Sequence, residues 1–301
     1  MALRHTLSSL LVALGAASAM GSAGCEAARP TDAPEEDTAE AIAVGTRERV
    51  AMTTDELQRW MTSVYDRGAA ANDMTVIECA EVAELAGVHA CAGPMAYAVN
   101  LAFARATMYA EGGFGSERES VSSHERASQA GALHGYGGHD LKSESLQAFW
   151  RDAKTSCAKK GRAYCPSAAE KAVFEGYLLP AIAAGRLSVL IAFGATSADV
   201  MASHELLHAQ YFVTPALRST VQTFWKEQLT GEDKRAVREA LASTYDVRDE
   251  GLVQNELLAY LLQRDAEHGV LRDQVSAHAP RLRAALATAG IEPLETKPFA
   301  F

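Results

Sequence analysis

Two neighbouring stretches decide how this chain is read: Leu187-Ser188-Val189-Leu190-Ile191-Ala192-Phe193, stopped by Gly194, and then Ser203-His204-Glu205-Leu206-Leu207-His208. The first is a nearly unbroken apolar run, which predicts a buried strand. The second predicts a helix over about 197–212, with Thr196 and Asp199 available as caps. His204 and His208 stand four residues apart. On a helix both imidazoles then leave one face and can grip one metal ion. Glu205 lies at the edge of that face, within reach of a water at such an ion without binding the ion itself.

Outward from this core, helical periodicity and caps predict further helices at about 215–229, 231–243, 251–266 and 270–288. Upstream, Thr53 with Glu56 makes a capping box for a helix through Arg67, with Leu57, Trp60, Met61 and Val64 on one stripe. Helices are also expected over Thr75–Ala86, Pro94–Tyr109, Ser145–Ser156 and Ser167–Leu179, the last ended or kinked by Pro180. Residues 112–139 carry seven glycines and no sustained period, so they read as a long loop with a short strand near Ala132–Tyr136. Trp60, Trp150 and Trp225 fall on apolar stripes and read as core. Strand–helix alternation is missing, which excludes a doubly wound nucleotide fold. The class is α+β, predominantly helical.

A metal ion held for catalysis needs a third protein ligand and an open position. A third His at 214 with Gly at 211 would mark one branch of metallopeptidases, the metzincins; this chain has Thr214 and Tyr211. The candidate is instead Glu256, in Asn255-Glu256-Leu257-Leu258-Ala259-Tyr260, on a helix whose leucines give it a buried side. Asp246, Asp249 and Glu250 are the alternatives. Here the chain resembles the gluzincins, thermolysin-like zinc metallopeptidases in which an H-E-x-x-H helix is completed by a Glu on a following "glutamate helix". The resemblance covers about Leu187–Gln263. It implies a zincin-like core, Zn2+ held by His204, His208 and Glu256, and Glu205 as general base in peptide-bond hydrolysis. Tyr260 stands where gluzincins commonly carry an Asp that supports a His ligand, so that support falls to Asn255, Asp246 or Asp249. An oxyanion donor is also implied. Tyr211, Tyr245, Tyr260, His268 and His278 are near in sequence, and Tyr260, one turn past Glu256, is the choice.

The chain has 301 residues, 28 Lys+Arg and 38 Asp+Glu, for a net charge of −10. With no basic run, it is no candidate for nucleic acid, whose binding rests on phosphate neutralisation. At the start, Arg4 precedes a short apolar, small-residue stretch from Leu7 to Met20, the pattern of a secretory signal. Ser22-Ala23-Gly24-Cys25 resembles the bacterial lipobox, which implies a lipid on Cys25 and a lipid bilayer as partner. Ordinary cleavage after Ala17-Ser18-Ala19 is the rival. Five cysteines less Cys25 leave four, and local pairing of Cys79 with Cys91 and Cys157 with Cys165 is expected outside the cytoplasm.

The layout expected is a signal peptide over 1–24, a lipid-anchored acidic linker over 25–45, a mainly helical region over 46–185 and a zincin-like catalytic region over 186–301. His124, His134 and His139, in the Gly-rich loop, read as solvated, with a second metal or a lid as the rival use. The expected activity is zinc-dependent cleavage of a peptide or protein by an exported, membrane-anchored protein in the periplasm or at the cell surface. The alternative is a non-catalytic binding lipoprotein that keeps the fold.

Overall fold

Residues 44–46, 51–71, 75–112, 121–195 and 198–294 are described by the structure, a computed structural model. The signal peptide, Cys25, nearly all of the acidic linker and Thr196 lie outside these residues, as does the side chain of Asp199. The remainder is mixed α/β and mostly helical, as the sequence leads one to expect.

Five strands form one mixed sheet in the order β1-β2-β3-β5-β4. They are β1 (Val44–Thr46), β2 (Ile77–Glu81), β3 (Val88–Gly93), β4 (Gly138–Lys142) and β5 (Val189–Gly194). β1 runs parallel to β2 and β3 parallel to β5, while β2–β3 and β4–β5 are antiparallel. β5 is the predicted apolar run. It is buried on both faces: Leu190 and Ala192 enter one core, Val189, Ile191 and Phe193 the other. β4 is an edge strand.

The first core lies under helices α2 (Ala96–Glu111), α5 (Ser143–Lys160) and α6 (Ala168–Val173). Trp150 stacks there on Phe174, in a wide π turn that leads from α6 to α7 (Leu179–Ala183), just before Pro180. α3 (His124–Gln129) and α4 (Ala132–Gly135) lie beside α2. The opposite face is covered by α1 (Thr54–Ala71) and α8 (Ala198–Val213). The Thr53–Glu56 and Ser167–Glu170 capping boxes both form. A third core gathers α8 with α9 (Pro215–Thr223), α10 (Gly231–Leu241), α11 (Glu250–Leu262) and α12 (Arg272–Thr288).

Three expectations need correction. Thr75–Ala86 is no helix: it holds β2 and the turn toward β3. Apolar residues at 77, 79, 80, 82 and 85 suit either period. Pairing decides, because Cys79 lies directly opposite Cys91 and the two form a disulfide. The short strand near Ala132–Tyr136 is a helical turn, and the strand begins two residues later, at Gly138. The Gly-rich loop thus includes two short helices and the start of an edge strand. Two of its three histidines are not solvated either, while His134 is exposed as expected. His139 is buried between Thr107 Oγ1 and Asn100 Oδ1, at 2.7 Å each, and His124 is held by Arg105 and the Cys165 carbonyl. His134 stacks on Tyr97.

The Cys157–Cys165 disulfide forms as expected. Strands from both sides of residue 185 share the one sheet, so 46–185 and 186–301 are parts of one structural unit. Among the described residues no helix is long and apolar enough to cross a membrane.

Candidate metal centre

α8 is buried on every side because it is wedged between the sheet and α11. Ala202, Leu206 and Ala209 pack on the sheet side, and Leu207 and Tyr211 on the C-terminal helices. The stripe left over carries His204 and His208 toward α11. There, Asp249 caps the helix through the amides of Gly251 and Leu252, and Glu256 faces the two imidazoles. The Ser203 hydroxyl accepts from the Arg264 amide at 3.2 Å, fastening α8 to the end of α11.

His204 Nε2 and His208 Nε2 are 2.9 Å apart, and Glu256 Oε2 lies 3.7 and 3.6 Å from them. A point equidistant from these three atoms is about 2 Å from each, the length of a metal–imidazole bond. All three residues are 4% exposed or less. The geometry thus brings together the three ligands read from the sequence, and these residues fit a divalent ion. The alternatives are engaged elsewhere. Asp246 holds Arg248, Asp249 is the helix cap, and Glu250 pairs with Arg238 at 3.1 Å.

His204 Nδ1 donates to Gln263 Oε1 at 2.6 Å. His208 Nδ1 faces the Asn255 side chain and lies 3.9 Å from Asp140 Oδ2. Asn255 Nδ2 donates to Asp140 Oδ2 at 3.3 Å. The Tyr245 hydroxyl faces the Glu256 carboxylate and is 3.3 Å from that of Tyr260, whose ring stands edge-on to His204. Tyr211 lies away from this group, lining a cavity of about 240 Å³ with Glu111, Asp140, Lys142, Arg218 and Asn255. His268 is exposed and His278 pairs with Asp233, so neither is near.

Glu205 sits against β4. A Cβ on Gly138 would overlap its carboxylate, so an alanine there would push the Glu205 side chain aside. Glu205 Oε2 and Glu256 Oε2 are buried with no hydrogen-bond partner. Such atoms are costly unless a cation or proton meets them.

The electrostatics point the same way. Burial, with the neighbouring His208, brings His204 down to about 3, and burial brings His208 down to about 4, so both rings are neutral and ready to ligate. Burial, followed by the negative charge of Asp140, raises Glu111, Glu205 and Glu256 well above the ordinary carboxylate range. Burial raises Asp140 to about 6. Among the described residues no Lys or Arg is ion-paired with any of these four acids. The group of His204, His208 and Glu256 could hold a metal ion.

The sequence did not single out Asp140, Glu111, Gln263 or Gly138. Gln263 had a signal, since it lies seven residues, two helical turns, beyond Glu256. Asp140 and Gly138 lay hidden in the Gly-rich stretch and its border. Compared with protein-family models, curated proteins and solved structures, the chain matches none.

Proposed function

We propose that the protein is a zinc-dependent peptidase with a zincin-like core, in which His204, His208 and Glu256 hold the ion and Glu205 is the general base. The observation that carries this reading is the triangle of two imidazole nitrogens and one carboxylate oxygen, centred about 2 Å from all three. Two His and one Glu are a ligand set suited to zinc with a position left open. Support for catalysis comes from Glu205. A purely structural clip has no use for a second glutamate beside the three ligands, buried with an unpartnered oxygen and set against a glycine.

Bound zinc would supply the Lewis acidity that polarises a peptide carbonyl and acidifies a water at neutral pH. Glu205 takes the proton of the attacking water and returns it to the departing amine. Gln263 fixes His204, while Asn255 faces His208 and Tyr245 faces Glu256. Tyr260, beside His204, is the donor assigned to the developing oxyanion.

The protein is further read as exported and lipid-anchored through Cys25. Two disulfides fit an oxidising compartment. The competing reading, a binding lipoprotein with zinc as a clip, draws on the burial of the ligands. Two variants separate them. Metal analysis should give about one zinc per chain, lost in His204→Ala and Glu256→Ala. Peptide-library cleavage should vanish in Glu205→Gln while its zinc remains. Zinc-loaded protein without cleavage leaves the clip; protein that takes up no zinc removes both readings.

A further inference from the structure

We propose that Lys142 and Arg218 form a carboxylate-binding subsite, and that the peptides cut at this centre carry a carboxylate one or two residues from the scissile bond. That carboxylate belongs to an Asp or Glu side chain or to a free C-terminus. The inference rests on the peptidase reading above and deepens it by naming a substrate class.

β4 and α8 lie side by side in matched steps. Residues 138, 140 and 142 share one face of the strand, and residues 205, 208 and 212 share one stripe of the helix. Gly138 meets Glu205, and Asp140 Oδ2 lies 3.9 Å from His208 Nδ1. Lys142 Nζ stands 4.6 Å from the centre of the Phe212 ring. The first two steps belong to the general base and to a metal ligand. The third lies about 7 Å further along the strand than Asp140, the reach of two extended residues. From α9, Arg218 Nη1 donates to the Phe212 carbonyl at 3.0 Å and brings a second cation to the same step.

A cavity of about 240 Å³ joins the second step to the third, with Asp140 and Asn255 among its walls beside His208 and Lys142 and Arg218 among those beside Phe212. Its two ends differ in charge. Asp249, another acid of the lining, is engaged as the cap of α11. Among the described residues neither Lys142 nor Arg218 is ion-paired, although acids outnumber bases 38 to 28 in the chain. Two cations without a carboxylate at the outer end of a cavity are equipped to receive one, and the planar fork of an arginine suits it best. Asp140 repels an anion from the inner end, so the outer step is where a carboxylate is accepted.

The same two cations also suit the C-terminal end of α8, which closes at Val213 and whose last carbonyls attract positive charge. That use affects stability alone, so selectivity separates the two.

Binding is measured on zinc-loaded Glu205→Gln protein, so that no cleavage intervenes. The probes are short fluorescent peptides of neutral sequence, with Glu or Gln placed at each position in turn and the C-terminus free or amidated. One Glu position, or the free terminus, should bind about 10–100-fold tighter than its neutral counterpart. The position scan tells a side chain from a chain end. Adding Lys142→Met or Arg218→Gln should bring that ratio close to one. In active wild type the same preference should appear in kcat/KM, chiefly through KM. The subsite is overturned if charged and neutral peptides bind alike, or if the ratio survives in either folded variant. Lys142 is exposed, so Lys142→Met reads the subsite should Arg218→Gln fail to fold. Zinc-loaded wild type that shows the binding preference but cuts no peptide removes the peptidase reading and leaves the subsite standing.

Discussion

Gln263 Oε1 accepts a 2.6 Å hydrogen bond from His204 Nδ1, so the proton of His204 is fixed on the nitrogen that faces away from Glu256. An amide oxygen can only accept, which removes any choice of tautomer. The lone pair on Nε2 is thereby committed to the point shared with His208 and Glu256. Replacing Gln263 by Leu should weaken zinc binding about 10–100-fold. Glu at this position still accepts and should retain most of the affinity. Equal affinity in wild type and Gln263→Leu would show that this contact does not orient the ligand.

Gly138 tests the position of Glu205 without touching its chemistry. In Gly138→Ala the added methyl displaces the Glu205 carboxylate and leaves the three ligands alone. Cleavage should fall by about 100-fold, the scale of a displacement near 1 Å at a reacting group. Zinc content should not change. Undiminished cleavage would mean that Glu205 works from another position.

The two phenols near Glu256 have separable duties. Tyr245→Phe removes a hydroxyl that faces the Glu256 carboxylate and should appear mainly as weaker zinc binding, by several-fold. Tyr260→Phe keeps the ring against His204 and removes the hydroxyl. It should lower kcat by about 100–1,000-fold at unchanged zinc content, as loss of an oxyanion donor does. A kcat equal to wild type would pass that role to another group.

Stability should depend on pH in a way that the ion reverses. In metal-stripped protein, Glu111, Glu205 and Glu256 titrate well above their ordinary range because burial penalises their charge. A folded-state pKa above the unfolded one means that the native chain holds protons the unfolded chain has released, so stability is lost as pH rises between the two values. His204 and His208 act oppositely, because their folded-state values are depressed, but their window closes near 6.5. Above that pH the carboxylates alone remain. The Tm of stripped protein should therefore fall between pH 6.5 and 8, and saturating zinc should abolish the fall. A flat profile without zinc would place the protons elsewhere.

Much of this architecture could be read from residue order, and the failures have physical causes. β5 announced itself because a strand covered on both faces is apolar at every position. α8 and α11 were legible from their caps and helical spacing, and Glu256 could be placed near the two histidines because its helix carries a buried leucine side. β2 was misread because apolar residues at 77, 79, 80, 82 and 85 fit two periods equally, and only the partner strand, carrying Cys91, distinguishes them. Asp140 was invisible for a different reason. It lies 3.9 Å from His208, a proximity created when residues 138–142 dock against β5. No local pattern encodes a neighbour so distant in sequence.

His208 and Glu256 are 48 residues apart, and the segment between them includes α9, α10 and the turns around them. An ion held by both would close this stretch into a covalent-like loop, a reversible staple in the same sense as the two disulfides upstream. Closing a loop of that length removes conformational freedom from the unfolded chain, and most of the benefit depends on the staple rather than on the loop's own contacts. Chelation should then open residues 214–249 to proteolytic nicking before the sheet is cut, which would make the centre a lock on its own C-terminal layer as well as a place for chemistry.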